Sequence, residues 1–314
     1  MVDPSSKGHT STGIVANYPY LLNSRSRVRT GREPEVAIPC KAEFAVPRRH
    51  LVLGREGIAL VNTDLHGNRE DFDALEKVFH AERAAHPVVH WVILGDIVHA
   101  PSEEARESDP TLYDFDDGSF AIAERIAELQ IAYPDRIHFV LGNHDYGHIG
   151  GPRTSKFHAD EVMALEMKLS EDDRRFLYCW LERSLFLVAA PCGVLLTHGS
   201  PDTQVTSLDM FDDLELPSRS DALRTLLCSY GQPKAVTDTM LAQVSAKAEL
   251  ELRVVVHGHD KTEDGFFYEG DNQVCPCLFG APRHAKRYVR LDLAARYERA
   301  EDLRDGFEIR RLWE

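Results

Sequence analysis

An α/β fold is what this sequence predicts, and three observations predict it. From Gly57 onward, short apolar runs alternate with longer segments of helical periodicity. The runs are apolar throughout rather than at every second position, which marks strands buried on both faces and covered by helices. Five of them end on Asp, Asn or His, and ligands of open α/β sheets bind outside the carboxyl ends of the strands.

Residues 1–57 read as an N-terminal extension, rich in Ser, Thr, Gly, Asn and Arg over its first part. Between Val36 and Leu53 it carries short apolar pieces broken by Pro39 and Pro47, which suit edge strands or a wrapping arm. A single domain follows over residues 58–314. Its predicted strands are Ile58–Asn62, His90–Leu94, Arg136–Leu141, Gly193–Thr197, Leu252–Val256, Val274–Phe279 and Tyr288–Leu293. The predicted helices are Arg69–Ala85, Ser119–Tyr133, Ser155–Leu169, Glu171–Leu181, Ser218–Cys228 and Lys234–Ala248. From Pro101 to Gly118 the rhythm breaks. That insertion has no periodicity and carries Glu103, Glu104, Glu107, Asp109, Asp114, Asp116 and Asp117, and long irregular loops inside compact domains are often functional.

Lys and Arg total 36 against 51 Asp and Glu, a formal charge of -15. Such a surface repels nucleic acids and anionic membranes, so neither is an expected partner. A phosphorylated substrate stays compatible, because bound cations reverse the local field. The six scattered cysteines do not make a disulfide scaffold, and Cys275-Pro-Cys277 reads as two thiols in a buried strand. The first residues show no basic start followed by an apolar run, so no signal peptide is predicted. No apolar stretch approaches the roughly 20 residues of a membrane span, and the expected location is the cytoplasm.

The strand ends carry the chemistry. The first run leads into Asp64-Leu-His66-Gly-Asn68, the second into Gly95-Asp96, and the third into Gly142-Asn143-His144-Asp145. Later runs lead into His198-Gly199 and His257-Gly258-His259. One such residue alone is a helix cap or a tight turn. Together they offer two carboxylates, an amide oxygen and several imidazoles, a mixed O/N set suited to divalent Mn, Fe or Zn. It lacks the thiolates of structural zinc and the nearly all-oxygen shell of calcium. Two cations sharing a carboxylate clamp phosphoryl oxygens and lower the pKa of a bound water. An imidazole is the natural proton donor to a leaving alkoxide near pH 7.

These blocks, in this order, resemble the motif series of the calcineurin-like metallophosphoesterases. Thr197-His-Gly-Ser-Pro201 and Val274-Cys-Pro-Cys-Leu-Phe-Gly-Ala-Pro282 are similar to segments of its phosphoprotein phosphatase branch. The resemblance implies a four-layer αββα sandwich with two mixed sheets flanked by helices. It implies two divalent metal ions, manganese first and iron or zinc as alternatives. Asp64 and His66 would bind one metal, Asp96 would bridge both, and Asn143 and His198 would bind the second with a histidine from the 257–259 block. His259 fits the phosphatase-like register, and His257 is the alternative. His144 would protonate the leaving group. The implied activity is hydrolysis of phosphate monoesters by metal-bound hydroxide, with serine/threonine or tyrosine phosphoproteins as candidate substrates. A small-molecule phosphodiesterase is the alternative. A non-catalytic binding module is the least fitting reading, because His144 and every ligand position are retained.

Departures from the branch locate what is missing. After Gly95-Asp96 the phosphatases continue Tyr-Val-Asp-Arg-Gly, whereas this chain reads Ile97-Val98-His99-Ala100. The carboxylate that orients the catalytic histidine and the arginine that holds the phosphate are absent there. Asp116 or Asp117, at the end of the acidic insertion, is the candidate to orient His144, and Asp145 is expected to support the ligands from behind. Arg283, after Ala281-Pro282, is the candidate phosphate clamp, since a guanidinium grips two phosphoryl oxygens at once.

Overall fold

A computed structural model describes residues 48–314. In chain order its strands are β1 (His50–Val52), β2 (Ile58–Thr63), β3 (Val89–Leu94), β4 (Ile137–Val140), β5 (Leu187–Ala190), β6 (Val194–Thr197), β7 (Val254–Val256), β8 (Phe266–Glu269), β9 (Gln273–Pro276), β10 (Arg287–Asp292) and β11 (Ile309–Arg311). The helices are α1 (Arg69–Ala85), α2 (Glu103–Ser108), α3 (Pro110–Tyr113), α4 (Ser119–Ala132), α5 (Asn143–Tyr146), α6 (Glu161–Glu166), α7 (Glu171–Leu181), α8 (Asp221–Cys228) and α9 (Lys234–Ala248).

The strands form two mixed sheets, ordered β11-β10-β2-β3-β4 and β1-β5-β6-β7-β9-β8. In the first, β2, β3 and β4 are parallel and β10 and β11 extend the edge antiparallel. In the second, β6, β7 and β9 are parallel, with antiparallel β5 and β8 outside them. Alternate residues of each strand serve different layers. Ala59, Val61, Val92 and Leu94 pack with Val188, Leu196, Val254 and Val256 between the sheets. Leu60, Trp91 and Ile93 turn the other way, into a core shared with Phe72 and Phe79 of α1 and Ile122 and Ile126 of α4. Leu195 and Val255 likewise belong with Leu226 of α8 and Met240 of α9. The result is the helix–sheet–sheet–helix layering that the sequence led us to expect.

Local chemistry sets the ends of α1. Asn68 caps it by accepting from the Asp71 amide at 3.0 Å. Buried Asp71 in turn pairs with Lys286 and accepts from Trp313 Nε1 at 2.9 Å, tying the C-terminal segment to this helix. Two expectations need correction. The acidic insertion is not irregular throughout: Ser102 caps α2, and Pro110 starts α3. The segment from Ser155 is not helical until Glu161, where Asp160 supplies the cap. The expected structure of residues 1–47 lies outside the described residues; β1 adds to the edge of the second sheet by pairing with β5.

His90 on β3 and His138 on β4 meet with Nδ1 and Nε2 3.0 Å apart. Burial, helped by Arg136, pulls His90 down to about 4. Burial, together with His90 and Arg136, holds His138 well below the usual imidazole range. Both rings are neutral when folded but protonate in the unfolded chain near its ordinary 6.5. Their contribution is therefore complete above pH 6.5 and is lost as pH falls toward 4, with His90 alone accounting for roughly 3 kcal/mol. We expect His138→Val to flatten the fall of unfolding free energy over that range, measured by urea titration. An unchanged slope would show that the pair does not govern acid stability.

Candidate metal centre

The parallel strands of both sheets end at one place, and the turns that follow them are unusual. Asp64, His66, Asp96, His99 and His259 all have positive φ, between 42° and 71°. That conformation costs a non-glycine residue about 1–3 kcal/mol and persists only where the surroundings over-determine it. Here hydrogen bonds between the turns do so. The amides of Asp64, His66 and Gly67 donate to the carbonyls of Gly95, Asp96 and Ile97. Asp145, fully buried, accepts from the amides of Asp96 (2.7 Å), Ile97 (3.2 Å) and Gly142 (3.0 Å). It thereby fastens the β3 and β4 turns together from behind. Gly142 permits this approach, because a Cβ there would lie 2.2 Å from Asp96 Oδ1.

Nearly every sequence-predicted ligand converges. His66 Nε2 lies 3.8 Å from both Asp64 Oδ1 and Asp96 Oδ2. His198 Nε2 lies 3.4 Å from Asp96 Oδ2 and 3.0 Å from Asn143 Oδ1. His259 Nδ1 is 2.8 Å from the same Asn143 oxygen. His66, Asp96 and His144 form one group with ligand atoms within 4.8 Å of each other, and Asp96, His198 and His259 form a second. Asp96 is common to both. His257 belongs to neither; its Nδ1 bonds to the Gly258 carbonyl at 2.9 Å, and its buried Nε2 has no partner.

The donor set fits divalent cations. His66 and His198 point Nδ1 at the carbonyls of Val98 (3.1 Å) and Leu94 (2.7 Å). Those bonds hold the Nδ1 proton and aim Nε2 at the cluster, as second-sphere hydrogen bonds do for metal-binding histidines. Burial would raise the Asp96 carboxyl, but His198, His144 and His66 hold it well below its usual range. Burial would lower His198, but Asp96 and Asp64 push it up to about 10. Buried carboxylates that demand this much positive charge would be satisfied by a cation between them.

His144 sits beside the cluster, its amide donating to Asp96 Oδ1 at 2.8 Å and its ring edge-on to His66. Its Nδ1 lies 3.3 Å from Glu161 Oε2, 3.0 Å from His99 Nδ1 and 3.2 Å from Thr154 Oγ1. His99 Nε2 continues to His148 Nε2 at 2.9 Å, and His148 Nδ1 to Glu166 at 2.9 Å. Burial, then His148 and His144, pulls His99 down to about 3, so it stays neutral.

Three expectations are not met. Asp116 is exposed and pairs with Arg106 at 3.0 Å. Asp117 binds the Ser119 amide and Lys168 Nζ. The carboxylate at His144 is instead Glu161, from α6. Arg283 does not enter the cluster as a phosphate clamp: it pairs with Glu70 at 2.7 Å and stacks on Trp313 at 3.5 Å. Glu161, His99 and Thr154 were missed. The one available signal was His99 itself, three residues past Asp96, where the related branch places its orienting carboxylate.

Two mixed sheets whose parallel strand ends deliver Asp, Asn and His to one buried cluster define a metallophosphoesterase type of fold. The model of the calcineurin-like phosphoesterase family matches residues 59–276, and the chain belongs to that family. Among solved structures, it is similar to a protein serine/threonine phosphatase from Saccharomyces cerevisiae with similarity to human phosphatase PP5. The TM-score is 0.54 and the identity 16%, over 78% of this chain and 76% of that one. It is also similar to a cold-active protein-tyrosine phosphatase of a psychrophilic Shewanella, with a TM-score of 0.51 and 13% identity over 78% of each chain. At these identities the likeness shows the fold alone. A comparison with curated protein sequences found no match.

Gly142→Ala should drive a methyl group into Asp96, an overpacking that typically costs about 1–3 kcal/mol. We expect a lower thermal midpoint and less divalent metal bound per chain. Gly54→Ala, where nothing lies within 4 Å, is the control. A Gly142→Ala protein with native metal content would show that the β3 and β4 turns can part without disturbing the cluster.

Proposed function

We propose that the protein is a dinuclear metal-dependent phosphoesterase that hydrolyses phosphate monoesters on a protein or a small molecule. What carries this reading is the place of Asp96, the one carboxylate common to the His66–Asp96–His144 and Asp96–His198–His259 groups. In it, Asp64, His66 and Asp96 would hold one cation, and Asp96, Asn143, His198 and His259 would hold the other. Manganese is the first choice, with iron or zinc as alternatives. When bound, such ions lower the pKa of a water and polarise the phosphoryl group. The rest falls to the chain. Asp96 spaces the two positions. Asp145 keeps the Asp96 and Asn143 turns in register by its three amide bonds. His144 holds a proton for the leaving oxygen. Burial works against that proton, but Asp96 and Glu161 outweigh it and raise the imidazole above its ordinary range. Glu161, pulled the opposite way by His144, takes the part that Asp116 and Asp117 were expected to play.

Metal-dependent hydrolysis of p-nitrophenyl phosphate, compared with bis-p-nitrophenyl phosphate, tests the activity itself; preference for the diester would favour the phosphodiesterase alternative. Two sets of variants test the assignments. Asp96→Asn should abolish turnover and lower bound metal, and His259→Ala should lose a metal that His257→Ala retains. Near-native activity and metal content in Asp96→Asn would sink the site. The opposite outcome at the histidines would shift the register to His257.

His144→Asn should keep its metals and lose about 10²–10⁴ in rate, the usual worth of a general acid. Glu161→Gln should show a smaller loss of the same kind. Both deficits should shrink for esters with acidic leaving groups, which need less protonation. Equal losses on good and poor leaving groups, or loss of a metal from His144→Asn, would remove the acid role.

A further inference from the structure

With Arg283 engaged elsewhere, no arginine among the described residues is seen at the cluster, yet two lysines come to it from unrelated parts of the chain. Lys156 lies in the irregular segment before α6, and its Nζ is 4.4 Å from the Phe279 ring centre and 5.4 Å from that of Phe157. The Phe279 ring packs at 4.1 Å on His66. Lys261 follows the His257–His259 turn, and its stem lies on Gly280, where a Cβ would come within 3.0 Å of it. Both lysines therefore stand over the same Phe279–Gly280 turn.

Their electrostatic surroundings are informative. Burial first, then the Lys261 ammonium, lowers Lys156 from its ordinary range, while Asp64, Asp96 and Glu161 act to raise it. Lys156 thus feels both the other lysine and the carboxylates of the cluster. Neither side chain makes an ion pair or hydrogen bond among the described residues, whereas Lys168, Lys234 and Lys286 each have a carboxylate partner. Lys156 is crowded by the cluster and yet, like Lys261, keeps enough exposed surface to meet a ligand. Two ammonium groups that face one turn, with no carboxylate in direct contact with either, leave a place where an anion would relieve their mutual repulsion.

We propose that Lys156 and Lys261 form the phosphoryl-binding cradle of this site, gripping the oxygens of a dianionic phosphate that the metals leave free. The inference rests on the phosphoesterase reading and narrows it. A monoester is dianionic above its second pKa of about 6, whereas a diester carries a single charge. Two lysines therefore favour the monoester and its product, inorganic phosphate. Phe279 and Phe157 support the Lys156 ammonium from one side by cation–π contact.

The test uses metal-loaded wild type, Lys156→Met, Lys261→Met and the double variant, with inorganic phosphate as the probe. Binding is read by calorimetry and by competitive inhibition. Each single change should weaken phosphate binding and raise KM for p-nitrophenyl phosphate about tenfold, a typical effect of deleting one charge-assisted hydrogen bond. KM for bis-p-nitrophenyl phosphate should move by no more than about twofold, since the deleted charge meets less anionic charge there. Lys156→Arg should restore most of the loss, and the metal count should stay at the wild-type value throughout. Fully metallated variants with unchanged phosphate affinity and an unchanged monoester-to-diester ratio would overturn the cradle while leaving the phosphoesterase reading intact. If the wild type hydrolyses neither ester, that reading fails, and calorimetry still decides whether the lysines hold phosphate.

Discussion

Asp96 is the residue on which the rest of the site depends, because its polar atoms are all committed to the turns that follow three other strands. Its amide donates to Asp145 and its carbonyl accepts from His66. One carboxylate oxygen accepts from the His144 amide, and the other faces His66 and His198. The turns after β2, β3, β4 and β6 are thereby held around one side chain that is itself buried and at φ 50°. A buried carboxylate without compensating charge costs several kcal/mol. The ring of imidazoles around it is what makes the arrangement tolerable, and the same ring gives it affinity for cations.

The sandwich explains how such remote residues meet. Asp64 Oδ2 accepts from the His259 amide at 3.0 Å, across a sequence separation of 195. β2, β3 and β4 deliver their ends from one sheet and β6 and β7 from the other, and the packed Val and Leu layer between them sets the distance. A close-packed layer does not yield gradually. The precision of the cluster therefore comes from the core rather than from the turns, whose strained dihedrals would relax if they were free.

Much of this was legible in the sequence, for a physical reason. Strands buried on both faces stand out as unbroken apolar runs, and the polar residue that ends each run is conspicuous by contrast. The ligand positions from Asp64 to His259 could be read that way, and the resemblance ordered them. The short strands β5, β8 and β11 were not anticipated, because three or four residues carry too little pattern. Glu161 was missed for a different reason. It sits one residue inside a helix of six, behind an ordinary Asp160 cap, and its local sequence says only that a helix begins there. Its proximity to His144 depends on the path of the segment before it, which reads as the start of a helix from Ser155 and is not helical until Glu161. Lys156 lies in that same segment and was hidden by the same cause.

The acidic insertion shows how composition can mislead about mechanism. Its carboxylates Asp116 and Asp117 are the sequence's candidates to orient His144, yet they are spent locally on Arg106, Ser119 and Lys168. What it contributes to the centre is a ring. Tyr113, at the end of α3, stacks on Phe279 with centroids 5.3 Å apart and meets Phe157 edge-on. Phe279 in turn packs on His66. The insertion thus acts through contact, bracing the aromatic wall against which His66 and Lys156 both rest. Charge acts over about a Debye length and is screened by salt, whereas packing contacts between rings are not screened. A net charge of -15 coexists with two lysines over the Phe279–Gly280 turn, and the insertion's Asp116 and Asp117 are paired with Arg106 and Lys168.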